Sequence, residues 1–259
     1  MIQWIDTHAH LAMLEHAPLE TILERCKHAG ISQMLSVSTE KPDWDRNREL
    51  AEKLDHVYYS LGIHPHHAKH WPQWGKDLFS HFINDIPPMK CVAIGETGLD
   101  FHYNLSPREI QISNFENHIA LAKTTSLPLI IHCRDAFEEV FGCLENAGVG
   151  TYSGVMHCFT GNSDQALRAI ELGLKISFSG ILTFKNAVTI QEAAKIIPNE
   201  VLLLETDCPY LSPIPHRGEP NEPSFLPQTG RMLAQLRGVS EATIAEQTSI
   251  NAKILFGLP

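Results

Sequence analysis

Eight short apolar or β-branched runs recur along the chain: 2–7, 33–39, 57–63, 90–96, 127–133, 152–158, 174–180 and 200–207. Each has the length and composition of a buried strand. The segments between them carry helical spacing. The clearest is SPREIQISNFENHIALAKTT, where Ser106 reads as the N-cap, Pro107 as the first helical residue and Glu109 as the closing member of a capping box. Ile112, Phe115, Ile119 and Ala122 then mark one face. Gly30, Gly148 and Gly173 read as helix stops ahead of the next strand. Two helices close the chain, 224–237 and 240–256, the second capped by Ser240.

Eight strand–helix units in 259 residues, with no linker, predict an α/β protein: a single-domain (β/α)8 TIM barrel spanning 1–259. A doubly wound open sheet is the runner-up, but it calls for a glycine-rich first turn and DTHAHL is not one. The proline-rich stretch 208–227 is too long for a plain connector.

Composition narrows the class. Hydrophobic residues make up 43%, enough for a substantial core. The six cysteines form no CxxC pair, which predicts a reduced, cytoplasmic protein. The N-terminus MIQWID lacks the pattern of a signal peptide, and no apolar run is long enough to span a membrane. The net charge of −10 argues against gripping long duplex nucleic acid by charge alone. No obligate protein partner is evident.

Barrel active sites lie where strands end and βα loops begin. Here those positions hold His8 and His10 (strand one), His64 (after strand three), Glu96 (four), His132 (five), His157 (six) and Asp207 (eight). Side chains alternate along a strand, so His8 and His10 share a side and Thr7 and Ala9 take the other. The histidines are then about 7 Å apart and can reach one cation with modest twisting. The same parity turns Cys133, Cys158 and Cys208 away from the mouth. Buried carboxylates among imidazoles are costly without a cation, so the set predicts metal binding. Six ligands over-supply one ion and predict two divalent ions. Mixed nitrogen and oxygen donors suit zinc, manganese or cobalt, with magnesium at an oxygen-richer position. His66, His67 and His70 read as a solvated loop.

These stretches resemble the TatD-type metal-dependent hydrolases (deoxyribonucleases) of the amidohydrolase superfamily. The resemblance is carried by DTHAHL, GIHPH, GETGLDF, LPLIIHCRDA, HCFTG, ISFSGILTFKNA, LETDCPYLSP and PHRGEPNEP, which cover nearly the whole chain. Departures fall at Ala9, at Thr97 and in FLPQTG. The resemblance implies a barrel, two divalent ions and hydrolysis of DNA phosphodiesters. Its metal ligands carry over onto His8, His10, Glu96, His132, His157 and Asp207.

The expected division places His8, His10 and Asp207 on one ion and His132 and His157 on the other, with Glu96 bridging. Glu96 and Asp207 are the expected catalytic residues, Asp207 moving the proton of the attacking water. Glu205, two residues before Asp207, is expected to orient a histidine from behind. His64, Arg134, Lys185 and Arg217 are expected to hold the substrate, and Phe159 and Tyr210 offer faces for a base. The acidic surface points to short DNA, single strands or ends. Two rivals remain. One is another hydrolase of the same superfamily acting on an amide or ester, with aminoacyl-tRNA as one candidate. The other is a metal-holding scaffold without activity.

Overall fold

A computed structural model describes residues 2–83 and 90–259. Its eight strands are β1 (Trp4–Ala9), β2 (Ile31–Ser36), β3 (Val57–Leu61), β4 (Cys91–Asp100), β5 (Leu129–Arg134), β6 (Gly154–Met156), β7 (Leu174–Phe178) and β8 (Leu202–Leu204). All neighbours pair in parallel, in sequential order. The ring closes through a bridge between Ala9 and Cys208, where the His10 N–H donates to the Cys208 carbonyl and the Asp207 N–H to the His8 carbonyl, both at 2.9 Å.

Helices α1 (Leu19–Ala29), α2 (Lys41–Lys53), α3 (Trp71–Ile83), α4 (Arg108–Thr125), α5 (Phe137–Ala147), α6 (Ser163–Glu171), α7 (Val188–Ile196), α8 (Leu226–Arg237) and α9 (Glu241–Phe256) complete a (β/α)8 TIM barrel. No helix among the described residues is long and apolar enough to cross a membrane.

The strands read as unbroken apolar runs because both their faces are covered. One cluster joins Ile5, Leu35, Tyr58, Val92, Ile130, Val155 and Leu203, residues from strands all around the ring. Only the barrel interior lets such distant strands meet. Ala252 and Phe256 of α9 join it and plug the barrel where the strands begin. Asn251 fixes that helix there, donating to the Asn199 and Leu202 carbonyls. A larger outer cluster packs the other strand faces against the helices.

Helix α4 differs from the sequence reading in an instructive way. It starts at Arg108, and Ser106 does not cap it. The Ser106 hydroxyl instead donates to the His66 carbonyl and accepts from the Lys69 N–H. The buried face holds Phe115, Ile119 and Ala122 as expected, with Ile112 partly covered, but also Gln111, Asn114 and His118. These polar groups satisfy backbone atoms that no strand partner reaches. Gln111 accepts from the Asp100 N–H and donates to its carbonyl. Asn114 donates to the Ile63 carbonyl, and His118 Nε2 accepts the Ile63 N–H. So α4 sets the end of β4 and the segment carrying His64.

The other boundaries follow the expected chemistry. Gly30, Gly148 and Gly173 all have positive φ at helix ends. The Ser240 hydroxyl accepts the Thr243 N–H and caps α9. Helix α8 begins at Leu226, after a 3-10 turn at Pro223–Phe225. The proline-rich loop before it is pinned at its base. Asn221 donates to the carbonyls of Thr206 and Tyr210, on either side of Asp207. Glu222 is buried against Arg25, His16 and Ser224.

Candidate metal centre

Seven side chains meet at the C-terminal rim of the barrel. Alternation from Ile130, Val155 and Leu203 carries His132, His157 and Glu205 to the inside, and Asp207, beyond the end of β8 with a φ of 58°, joins them. On β1 and β4 alternation alone fails. Counted from Ile5, which faces inward, His8 falls on the outer side; on β4 both Val92 and Ala93 join the interior cluster, so no single alternation runs through that strand. Register irregularities between Asp6 and Ala9, and between Ile94 and Thr97, reset the parity and turn His8 and Glu96 inward. Thr7 keeps the side of Ile5 and does not face away from His8 and His10 as the sequence pattern predicts; its hydroxyl meets the Leu204 carbonyl and the Ser177 hydroxyl. Ala9, Cys133 and Cys208 do pack in the outer layer.

Glu96 lies at the middle of the constellation. Its Oε2 is 3.4 Å from His8 Nε2 and 3.8 Å from His10 Nε2. Its Oε1 is 2.9 Å from His157 Nε2, 3.0 Å from His132 Nδ1 and 3.4 Å from His64 Nε2. Asp207 Oδ1 lies 3.7 Å from His8 Nε2 and 3.5 Å from His10 Nε2. Among the described residues, three sets of donors have their atoms within 4.8 Å of one another: His8, His10 and Asp207; His8, Glu96 and His157; and His64, Glu96 and His132.

The donor chemistry fits divalent cations. His8 Nε2 and His10 Nε2 are 3.3 Å apart, each beside carboxylate oxygens, an arrangement a shared cation satisfies better than a shared proton.

Electrostatics points the same way. Burial pushes Glu96 towards protonation, but the charges of His157 and His64 and the hydrogen bonds of His132 and His157 hold it well below the usual carboxylate range. Asp207 is likewise held down, its burial outweighed by His10, His8 and His157. Burial works against charge on His157, yet Glu96 and Glu205 raise it well above the ordinary imidazole value. Burial drives His64 down to about 3.

Glu205 is buried behind this group. Its Oε1 is 3.2 Å from His157 Nδ1 and accepts the Cys158 N–H. That contact turns His157 Nε2 towards Glu96.

Other expected site residues are distributed differently. His64 lies inside the centre against Glu96 and not on the rim. Arg134, Lys185 and Arg217 are exposed, Arg134 resting on the Tyr103 ring and Arg217 on Phe184. Phe159 offers no free face, being 1% exposed and packed between Phe137 and Phe178. Tyr210 is open, its ring 6.0 Å from that of His10.

Two residues escaped the sequence reading. Strand β4 continues past Glu96 to Asp100, which shares Glu96's parity after the irregularity. Asp100 Oδ2 lies 3.2 Å from His132 Nε2 and 2.9 Å from His66 Nε2. His66, read as a solvated loop residue, is thereby drawn to the edge of the centre. The signal was present in GETGLDF: Asp100 stands four residues after Glu96, on the same side once β4 is extended.

A family model described as TatD related DNase matches residues 5–257. The chain is 41% identical over 256 residues to the uncharacterized metal-dependent hydrolase YabD of Bacillus subtilis, covering 97% of this chain and 98% of that one. It is 35% identical over 245 residues to a Pantoea ananatis protein named 3'-5' ssDNA/RNA exonuclease TatD, covering 92% and 93%. The crystal structure of YJJV, a TatD homologue from Escherichia coli K12, matches with a TM-score of 0.92 at 29% identity, covering 100% and 99%. The chain belongs to the TatD related DNase family and is a metal-dependent hydrolase.

Proposed function

We propose that this protein hydrolyses phosphodiester bonds of single-stranded DNA or DNA ends, with two divalent cations held by His8, His10, Glu96, His132, His157 and Asp207. The observation that carries this reading is the two-sided environment of Glu96. One carboxylate oxygen faces His8 and His10 and the other faces His64, His132 and His157, which is the disposition of a bridging ligand.

Bound divalent ions supply Lewis acidity and a water nucleophile at neutral pH. The chain's own groups do the rest. Asp207 is 13% exposed and the more accessible of the two carboxylates, so it takes the proton of the attacking water and returns it to the leaving oxygen. Glu205 holds His157 in orientation, and His64 packs its imidazole against Glu96 on the same side. Arg134, Lys185 and Arg217 supply positive charge around an otherwise acidic mouth and grip phosphates. The name of the Pantoea relative supports a nucleic-acid substrate and extends it to RNA. Six free cysteines support a reducing, cytoplasmic setting.

The test strips the protein with a chelator and restores zinc, manganese, cobalt or magnesium singly. Labelled single-stranded and duplex oligonucleotides and an aminoacyl ester serve as substrates. Metal-dependent cleavage of the single strand, faster than the duplex, is the expected result. Turnover of the ester alone would assign the centre to acyl chemistry. No turnover of any substrate with metal bound would leave a scaffold.

A further inference from the structure

Two half-exposed tyrosines stand at opposite ends of the barrel mouth. Tyr210 follows β8 and is 51% exposed, its ring 6.0 Å from that of His10. Tyr103 follows β4 and is 54% exposed, its ring 5.7 Å from that of His66. In a ring of eight strands in sequential order, β4 and β8 lie across from each other. Glu96 sits between them, bonded towards His8 and His10 on one side and towards His64 and His132 on the other.

Neither tyrosine is stacked flat on its histidine, the ring planes meeting at 73° and 87°. Each end also carries a guanidinium laid on a ring. Arg134 lies 4.7 Å from the Tyr103 centroid, and Arg217 lies 3.9 Å from the centroid of Phe184, in the loop after β7. Rings and guanidinium planes are the surfaces on which unpaired bases stack, and the guanidinium edge is free to meet phosphate. Core packing does not account for either tyrosine, since each leaves half its surface in solvent while Phe159 nearby is fully buried.

We infer that the centre takes a phosphodiester flanked by a base on both sides, one base stacking on Tyr210 and the other on the Tyr103–Arg134 pair. The unit bound is a dinucleoside step laid across Glu96, not a terminal phosphate or an aminoacyl ester. The inference rests on the nuclease reading above and specifies its substrate.

The probe is a short deoxyribonucleotide strand with a single cleavable phosphodiester, all other linkages being methylphosphonate. Two analogues each lack one base, on the 5′ or the 3′ side of that bond. Wild type, Tyr210→Ala, Tyr103→Ala and the two Phe variants are compared by kcat/KM on all three strands. In wild type, loss of either base lowers kcat/KM by about tenfold. Tyr210→Ala erases the penalty for one side and Tyr103→Ala erases it for the other, while the Phe variants restore both. Each tyrosine is already about half exposed, so the Ala variants keep the core, and circular dichroism verifies the fold. Both tyrosines coupling to the same side, or penalties unchanged in both Ala variants, would overturn the inference while wild-type cleavage leaves the nuclease reading standing. Absence of cleavage of all three strands by wild type with metal removes that reading and this inference with it.

Discussion

Asp6 and Thr206 join the first strand to the segment that follows the last: one Asp6 carboxylate oxygen accepts the Thr206 N–H at 3.0 Å and the other its hydroxyl at 2.6 Å. The same carboxylate accepts the His8 N–H at 3.3 Å. Burial pushes the group up to about 7, against the lowering effect of these three bonds. Neither residue is a candidate metal donor, yet each lies beside donors, His8 on one side and Asp207 on the other. Asp6→Ala leaves the Thr206 N–H buried without an acceptor, and should destabilise the protein by about 2–4 kcal/mol in chemical denaturation. It should also weaken metal binding in calorimetric titration, because it loosens the seam between β1 and β8. Unchanged metal affinity would show that the seam does not set the donor geometry.

Glu96→Ala removes the carboxylate shared by both halves of the centre. Hydrolysis should fall more than about a hundredfold, since loss of outer contacts alone costs 10–100-fold. The fold should persist, because Glu96 contributes to the rim and not to either apolar cluster. Circular dichroism and metal stoichiometry check this; normal cleavage by the variant would refute the bridging role.

Glu205→Gln keeps the shape of the side chain behind His157 but removes its charge. Metal affinity or activity should drop about 10–100-fold, with KM little changed, because Glu205 acts through His157 and lies away from the mouth. A change confined to KM would place it in contact with substrate instead.

Arg217→Ala should raise KM for oligonucleotide more than for a small phosphodiester. Arg217 is exposed and rests on Phe184, and among the described residues it makes no hydrogen bond or ion pair with the candidate metal donors. Equal effects on both substrates would remove it from the grip.

His118 provides a pH signature away from the candidate donors. It is fully buried, its Nδ1 beside the Asn114 carbonyl and its Nε2 accepting the Ile63 N–H, and burial lowers it to about 4. A histidine with a depressed folded value binds fewer protons than in the unfolded chain, so stability is complete above about 6.5 and declines as pH falls towards 4. The total loss is about 3 kcal/mol at 1.36 kcal/mol per unit. Denaturation across pH 4–7 should show this slope in wild type and a shallower one in His118→Gln.

Much of this architecture was legible from the sequence, for a local reason. Strands covered on both faces are apolar at nearly every position, so all eight runs stand out without knowledge of their partners. A histidine or carboxylate closing such a run has one place to go in a barrel, the C-terminal rim. That is why His8, His10, Glu96, His132, His157 and Asp207 could be named together from strand ends alone.

What could not be read depends on groups that meet only when the ring closes. Strict alternation from Ile5 places His8 on the wrong side, and no unbroken alternation runs through β4, whose register shifts against both of its neighbours. Ser106 reads as a helix cap from its own segment but is claimed by the backbone of His66 and Lys69. Asp100 and His66, far apart in sequence, find each other only through α4, whose polar face holds the backbone at Asp100 and Ile63. Periodicity is a property of a few consecutive residues and survives in any single sequence. Register and hydrogen-bond satisfaction belong to pairs of distant segments, and only the closed barrel decides them.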